Sequence, residues 1–418
     1  MATTATAPKN EFRDEKYSKL ESHFVGLDRN DVYAYSKTLL SRPEFKPIFD
    51  PWVESVKTPF SGITTDGNKI EGIYKLEENG APTEEMVAAA NRVLDVLTPE
   101  ERGQVVCDLD AEHWRKWSNP EFVFFRDCGL RLNLGVKQET INAILDLLKA
   151  SLSEKGYEKV QAGLVTNEFL GDLIKLPNIL GRWTYFFMLH GSPSATEPWG
   201  FTWHGHHVCI NVFVVGKQMV IGPCFVGAEP NVIDDGPHKG TFLLQEEEIT
   251  GLRLMQSLTE EQRKTVLLYP EMDGELLPKW RYNPADQRHL AGAYQDNRQI
   301  PYEGLRCSEL TDAQQTLLWE VVESFQNLLP EKPLQHRLAE VRAHLDETYF
   351  CWIGRYGDDD VFYYRIQSPV LLLEFDHHSS LALDSERKPV KHHIHTIQRI
   401  PNGNDYAREI IRLHRERR

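Results

Sequence analysis

The sequence lacks paired cysteines, a long apolar run and any excess of basic charge, and each absence removes a class of protein. Its six cysteines, Cys107, Cys128, Cys209, Cys224, Cys307 and Cys351, are scattered without a CxxC pair. They offer no disulfide framework and no thiolate zinc site, and they read as buried thiols of a reducing compartment. No stretch is apolar for long enough to span a bilayer. Residues 1–10 are small and polar, which predicts no secretion signal and, with the thiols, a cytoplasmic protein without a membrane partner. A formal net charge of -15 repels phosphate backbones and argues against nucleic acid as a partner. Basic residues gather only between Arg408 and Arg418, which reads as a solvated terminal helix. Three motifs are missing as well: the GxSxG elbow, the phosphate loop and a GxGxxG after a strand, so the common hydrolase and dehydrogenase readings lose their support.

What is present is an ordinary globular composition, 41% hydrophobic and 26% charged over 418 residues. That length predicts a disordered tail over 1–20, then one large domain, or two interlocked lobes, over 21–418. Thr98, Thr259 and Thr311 each precede Glu or Gln by three residues, the spacing of a capping box that opens a helix. Apolar residues at helical spacing, such as Ile141, Ile144, Leu145 and Leu148, predict a helix-rich N-terminal half. After Pro177 the texture changes to aromatic and β-branched runs: 183–190, 206–215 with a hairpin partner at 218–221, 349–353, 361–367 and 369–375. The fold class expected is α+β, a mostly antiparallel sheet carrying the site and flanked by helices. The polar stretch 270–301 reads as a long surface loop or lid.

Histidines concentrate in this second half. Trp203-His204-Gly205-His206-His207, Glu374-Phe375-Asp376-His377-His378 and His392-His393-Ile394-His395 all adjoin apolar strand-like runs. Imidazole and carboxylate are the ligands borderline divalent metals choose. His393 and His395 share one strand face, as do Glu374 and Asp376. In the first cluster, alternation pairs His204 with His206 on one face and His207 with Asn211 on the other, while a bulge at Gly205 brings both His206 and His207 inward. A carboxylate such as Glu374 at the end of a buried run needs a cation, a proton or a partner. Arg399 is placed to recognise a carboxylate substrate or to pair with Asp376. His377, His378 and His392 flank a polar loop and read as exposed or supporting groups. Trp199 and Trp203 read as pocket walls, and Trp183 as core.

The string Trp199-Gly200-Phe201, then Gly205-His206-His207 with Asn211, and far downstream Glu374-Phe375-Asp376 and His393-Ile394-His395 with Arg399, resembles domain of unknown function family 3500. The likeness extends over nearly the whole chain beyond the first few dozen residues. It implies that both histidine clusters and Glu374 belong to one shared site.

The expectation that follows is a mononuclear non-haem metal enzyme, an oxygen-using oxidoreductase acting on a small organic molecule. Its metal, iron or manganese with zinc as the alternative, is held by His206, His207, Glu374, His393 and His395. Asp376 and Arg399 are the catalytic groups. Two other readings stand beside it: a zinc hydrolase with the same ligands, and a protein that binds a ligand without chemistry.

Overall fold

The computed structural model describes Phe12 and residues 25–272, 277–380, 382–383 and 388–417. Apart from Phe12, the tail expected over 1–20 lies outside the described residues. The helices are α1 (Val32–Leu40), α2 (Lys46–Ser55), α3 (Thr83–Val96), α4 (Pro99–Val105), α5 (Gln138–Ser151), α6 (Glu154–Leu173), α7 (Gln245–Ser257), α8 (Glu260–Val266), α9 (Asp312–Gln326), α10 (Glu331–Arg342) and α11 (Arg408–Glu416). The strands are β1 (Val106–Cys107), β2 (Leu130–Arg131), β3 (Tyr185–His190), β4 (Trp199–Gly205), β5 (Val208–Val215), β6 (Gln218–Ala228), β7 (Leu267–Tyr269), β8 (Leu305–Arg306), β9 (Tyr349–Gly354), β10 (Phe362–Gln367), β11 (Leu372–Ser379) and β12 (Pro389–Arg399). The three threonine capping boxes are all formed, opening α4, α8 and α9. No helix among the described residues is long and apolar enough to cross a membrane.

The α+β class holds, but the sheet, expected to be mostly antiparallel, is mixed. Among the described residues twelve strands form a single sheet in the order β1-β3-β4-β5-β6-β12-β11-β10-β9-β7, with β2 on β3 and β8 on β9. The marginal pairs β1–β3 and β7–β9 are parallel. The N-terminal half is also less uniformly helical than its periodicity suggests, because long irregular segments at 56–82 and 108–129 interrupt the helices. The decisive feature of the topology is the central pairing of β6 with β12, which sets His395 opposite Gly227. It brings two hairpins from distant parts of the sequence side by side.

Strand alternation gives this sheet two unlike faces. One carries Trp203, Ile210, Val226, Ile394, Phe375, Tyr364 and Trp352, all buried. Helices α6, α7 and α9 cover it: Tyr364 donates its hydroxyl hydrogen to Glu247 O at 2.7 Å, and Phe325 meets the Tyr364 ring edge-on. Each large apolar side chain buried here contributes about 1.5–3 kcal/mol. Trp203 stacks on Tyr185 within this layer, so it and Trp199 fill core and wall no pocket, while Trp183 is the one only partly buried.

The opposite face carries Thr202, Asn211, His393, His395, Glu374, Asp376, Arg365 and Arg399, equally buried. Irregular chain, chiefly 281–303, covers it, so the expected surface lid is a buried layer: Arg281, Arg288, Leu290, Ala291 and Asp296 are at most 1% exposed. The physical reason is polar satisfaction. A helix has few main-chain groups to offer a charged sheet face, whereas loop amides, carbonyls and arginines can meet it group by group. Arg399 shows this. Its guanidinium pairs with Asp296 (2.8 Å) and Asp405 (3.2 Å) and donates to Ala291 O and Gly292 O. Asp296 also binds Arg115 at 2.7 Å, and Arg115 donates to Ser55 O, Val56 O and Thr58 O. Every polar edge of Arg399 is thus tied to protein, and it fastens the covering layer to the sheet.

Removing Asp296 takes the carboxylate partner from buried Arg115 and one of two from Arg399. Asp296→Ala is expected to destabilise the protein by about 3–5 kcal/mol in denaturant unfolding, whereas Arg412→Ala, on the exposed face of α11, leaves the unfolding midpoint unchanged.

Candidate metal centre

β4 ends at Gly205 and β5 starts at Val208, with Gly205 paired to Val208, so His206 and His207 are the two residues of a tight hairpin turn. Alternation across the whole cluster therefore fails, because the chain reverses in its middle. His207 sits at φ +63°, a left-handed backbone that costs a non-glycine residue about 1–2 kcal/mol. That conformation carries the imidazole over the polar face, towards β12.

There three imidazoles meet. His395 Nε2 lies 2.9 Å from His393 Nε2 and 3.2 Å from His207 Nε2, with all three side chains buried. Nitrogens each ~2.0–2.1 Å from a common ion are ~2.9 Å apart at right angles and ~3.3 Å apart at tetrahedral angles, so both spacings fit one small divalent cation. His393 donates Nδ1–H to Ser379 O at 2.9 Å, which leaves its Nε2 as a bare lone pair. Three converging nitrogens cannot satisfy one another with protons alone, since each bond needs one donor and one acceptor. Gly227 provides the space. A Cβ there would stand 2.8 Å from His395 Cδ2 and 3.1 Å from His207 Cδ2.

The other expected ligands are engaged elsewhere. His206 stacks on His207 with ring centroids 3.7 Å apart, and its Nδ1 donates to Asn167 Oδ1 at 2.8 Å, so it braces the turn. Glu374 lies on the same sheet face, but its oxygens accept from Leu290 N and Ala291 N, both at 2.8 Å, and from the Tyr363 hydroxyl at 2.6 Å. It is absent from the converging set, and the buried acid finds its partners in two main-chain amides and a tyrosine hydroxyl. His204 is a satisfied core histidine, with Nε2 bonded to Cys128 O and its ring stacked on Phe186.

Asp376 accepts from Nε and Nη2 of Arg288 (2.7 and 3.0 Å) and binds Nδ1 of His378 at 3.0 Å. It therefore pairs with Arg288 where Arg399 was expected, and it orients His378, whose ring stacks on His395 at 4.1 Å. His377, His378 and His392 are all buried, which corrects the exposed reading. His377 points to the other face and pairs with Glu248 at 3.0 Å.

A family model described as "Protein of unknown function (DUF3500)" matches residues 79–408. The chain belongs to this family. The matched span of this DUF3500 protein contains every strand and all three converging histidines. No curated protein matches the chain, and no solved structure does.

Two neighbours of the triad were not legible beforehand. His289, in the covering layer, is 2% exposed, its Nε2 has no hydrogen-bond partner, and its ring lies 6.2 Å from that of His395. The available signal was Arg288-His289 running into the small apolar Leu290-Ala291-Gly292-Ala293, too tightly patterned for a solvated lid. Glu229 accepts from Ser380 Oγ and Leu383 N and sits 3.6 Å from His393 Nδ1, with burial raising its carboxyl.

Burial also sets the charge state of the imidazoles. It lowers His393 to about 4 and His206 to about 3, and it holds His207 and His395 well below the ordinary range, reinforced by neighbouring rings. All are neutral at physiological pH, the form that binds metal. Two outcomes follow. In a histidine-resolved NMR titration His393 and His206 should show no protonation between pH 8 and 5, where an ordinary imidazole titrates near ~6.5. Gly227→Ala should keep the circular dichroism of the native fold while metal affinity falls, on the order of 10–100-fold, as the His207 and His395 rings are pushed apart.

Proposed function

We propose that this DUF3500 protein is a mononuclear metal-dependent enzyme acting on a small organic molecule, with His207, His393 and His395 as its protein ligands. The single observation that carries the reading is the convergence of three buried Nε2 atoms, one of them fixed as a bare lone pair by the bond from His393 to Ser379. A structural site would close its fourth position with another residue. Here the expected fourth ligand, Glu374, is bound elsewhere, which supports an open, catalytic arrangement.

A divalent ion held by His207, His393 and His395 would supply Lewis acidity and would lower the pKa of water at the site towards ~7. The protein's own groups do the positioning. Asp376, itself held by Arg288, fixes His378 against the His395 ring, and Asn167 holds His206 against His207. His289 Nε2 is a buried nitrogen near the triad without a hydrogen bond among the described residues, and it is the group we assign to a bound water or substrate oxygen.

The ligand set bears on the reaction. The oxygen-using reading with iron or manganese drew on a mixed histidine and carboxylate shell. An all-imidazole shell leaves the ion's charge uncompensated, which favours polarising a carbonyl or activating water, so zinc-dependent hydrolysis becomes the leading chemistry and oxidation the second.

Elemental analysis of protein purified without chelator tests this. One equivalent of metal is expected, falling below a tenth of an equivalent in His395→Ala and His207→Ala. Zinc supports hydrolysis, and iron or manganese restores the oxidoreductase. A metal-free protein that binds no added zinc, iron or manganese would leave only a ligand-binding role. Because the ligands stay neutral to about pH 4 for His393, the affinity measured by competition should be level from pH 8 to 5 and fall below that. A site of ordinary imidazoles would weaken already below ~6.5.

A further inference from the structure

At the margin of the same sheet face, well along the ladder from the triad, a second set of reactive groups lines up. Cys107 on the edge strand β1 places Sγ 3.0 Å from Nδ1 of His190 in β3. His190 Nε2 is 3.0 Å from Thr202 Oγ1, the Thr202 hydroxyl donates to Asn211 Oδ1 at 2.9 Å, and Asn211 Nδ2 donates to Pro223 O at 3.0 Å.

Followed from the carbonyl end, every direction in this chain is forced. Pro223 O can only accept, so Asn211 turns its amide nitrogen to it and its oxygen to Thr202. Thr202 has a single proton and gives it to that oxygen, so its own oxygen must accept Nε2–H from His190. The ring therefore keeps its hydrogen on Nε2, and the Nδ1 lone pair faces the thiol. Trp114 stacks on the ring at 3.7 Å and 12°, and its own indole N–H is anchored to Leu109 O, so His190 is clamped in this orientation. Of the six cysteines, Cys107 is the one that is not fully buried.

We propose that Cys107 and His190 form a second reactive centre, a thiol with its proton acceptor already in place, which takes covalent modification from small soft electrophiles; Thr202 and Asn211 are its positioning residues. In the step, Sγ bonds to the electrophilic carbon, the leaving group departs with the electron pair of its own bond, and the thiol proton passes to Nδ1 and then to solvent. Burial pushes the Cys107 thiol up to about 12 and His190 well down, so the resting pair is neutral. Asp108 and Lys116 act on the thiol with opposite signs, and His113 and Arg408 both disfavour an imidazolium. The proton accordingly moves as the new bond forms, the work of a general base.

Iodoacetamide labelling of the full chain, read by peptide mass spectrometry, tests this. Cys107 should be carbamidomethylated ahead of the other five thiols, with iodide released. At pH 7 its rate should fall on the order of tenfold or more in His190→Gln and in Thr202→Val. From pH 7 to 9 the native rate should be nearly level, whereas in His190→Gln it should climb about tenfold per pH unit, because only the free thiolate then reacts. Equal Cys107 rates in the native protein and both variants, or a native Cys107 no faster than the buried thiols, would overturn the proposal. A variant that unfolds reveals itself by labelling all six cysteines, and Thr202→Val, which keeps the side chain's shape, then decides.

Discussion

A sheet face made of ionisable side chains, buried from water, can exist only if the chain that covers it supplies a partner for each group. This constraint organises the molecule. Leaving one such charge unpaired costs about 3–5 kcal/mol, a large share of the stability of any domain. The covering layer meets the demand residue by residue: two amides for Glu374, Arg288 for Asp376, and Asp296 with Asp405 for Arg399. Most groups on that face are satisfied, and one buried atom that is not, His289 Nε2, lies beside the convergence of His207, His393 and His395.

The topology explains why the site lies where it does. The β4–β5 turn carries His207, and β12 carries His393 and His395, with more than 180 residues between them in sequence. Pairing of β6 with β12 makes them neighbours, and the bare Cα of Gly227 at that seam admits two rings. The apolar face, packed under α6, α7 and α9, holds the sheet rigid, so His393 and His395 sit on a fixed strand and His207 on a tight two-residue turn between two paired strands.

Much of this was legible in the residues. Threonine capping boxes, β-branched runs and the HxH spacing of β12 translate directly into helix starts, strands and two imidazoles on one strand face, because each depends on local geometry. What was not legible depended on long-range partners. Glu374 carries no sign in sequence that the amides of Leu290 and Ala291 will reach it, and Arg399 none that Asp296 will. The polar composition of 270–301 resembles a solvated loop, yet its polarity serves a buried face, so composition alone misassigned it and His289 with it. The His206-His207 pair was read along one strand, whereas the two-residue turn reverses the chain there, without the Asn-Gly or Gly-Gly that usually marks such turns.

The central claim is that three neutral imidazoles, and no carboxylate, bind one ion. X-ray absorption at the metal edge of the loaded protein measures this directly. The account predicts one shell containing three imidazole nitrogens at about 2.0–2.1 Å with their outer-ring scattering, and a fall from three imidazoles to two in His207→Ala. A spectrum that requires a carboxylate ligand, or one unchanged by His207→Ala, would contradict it.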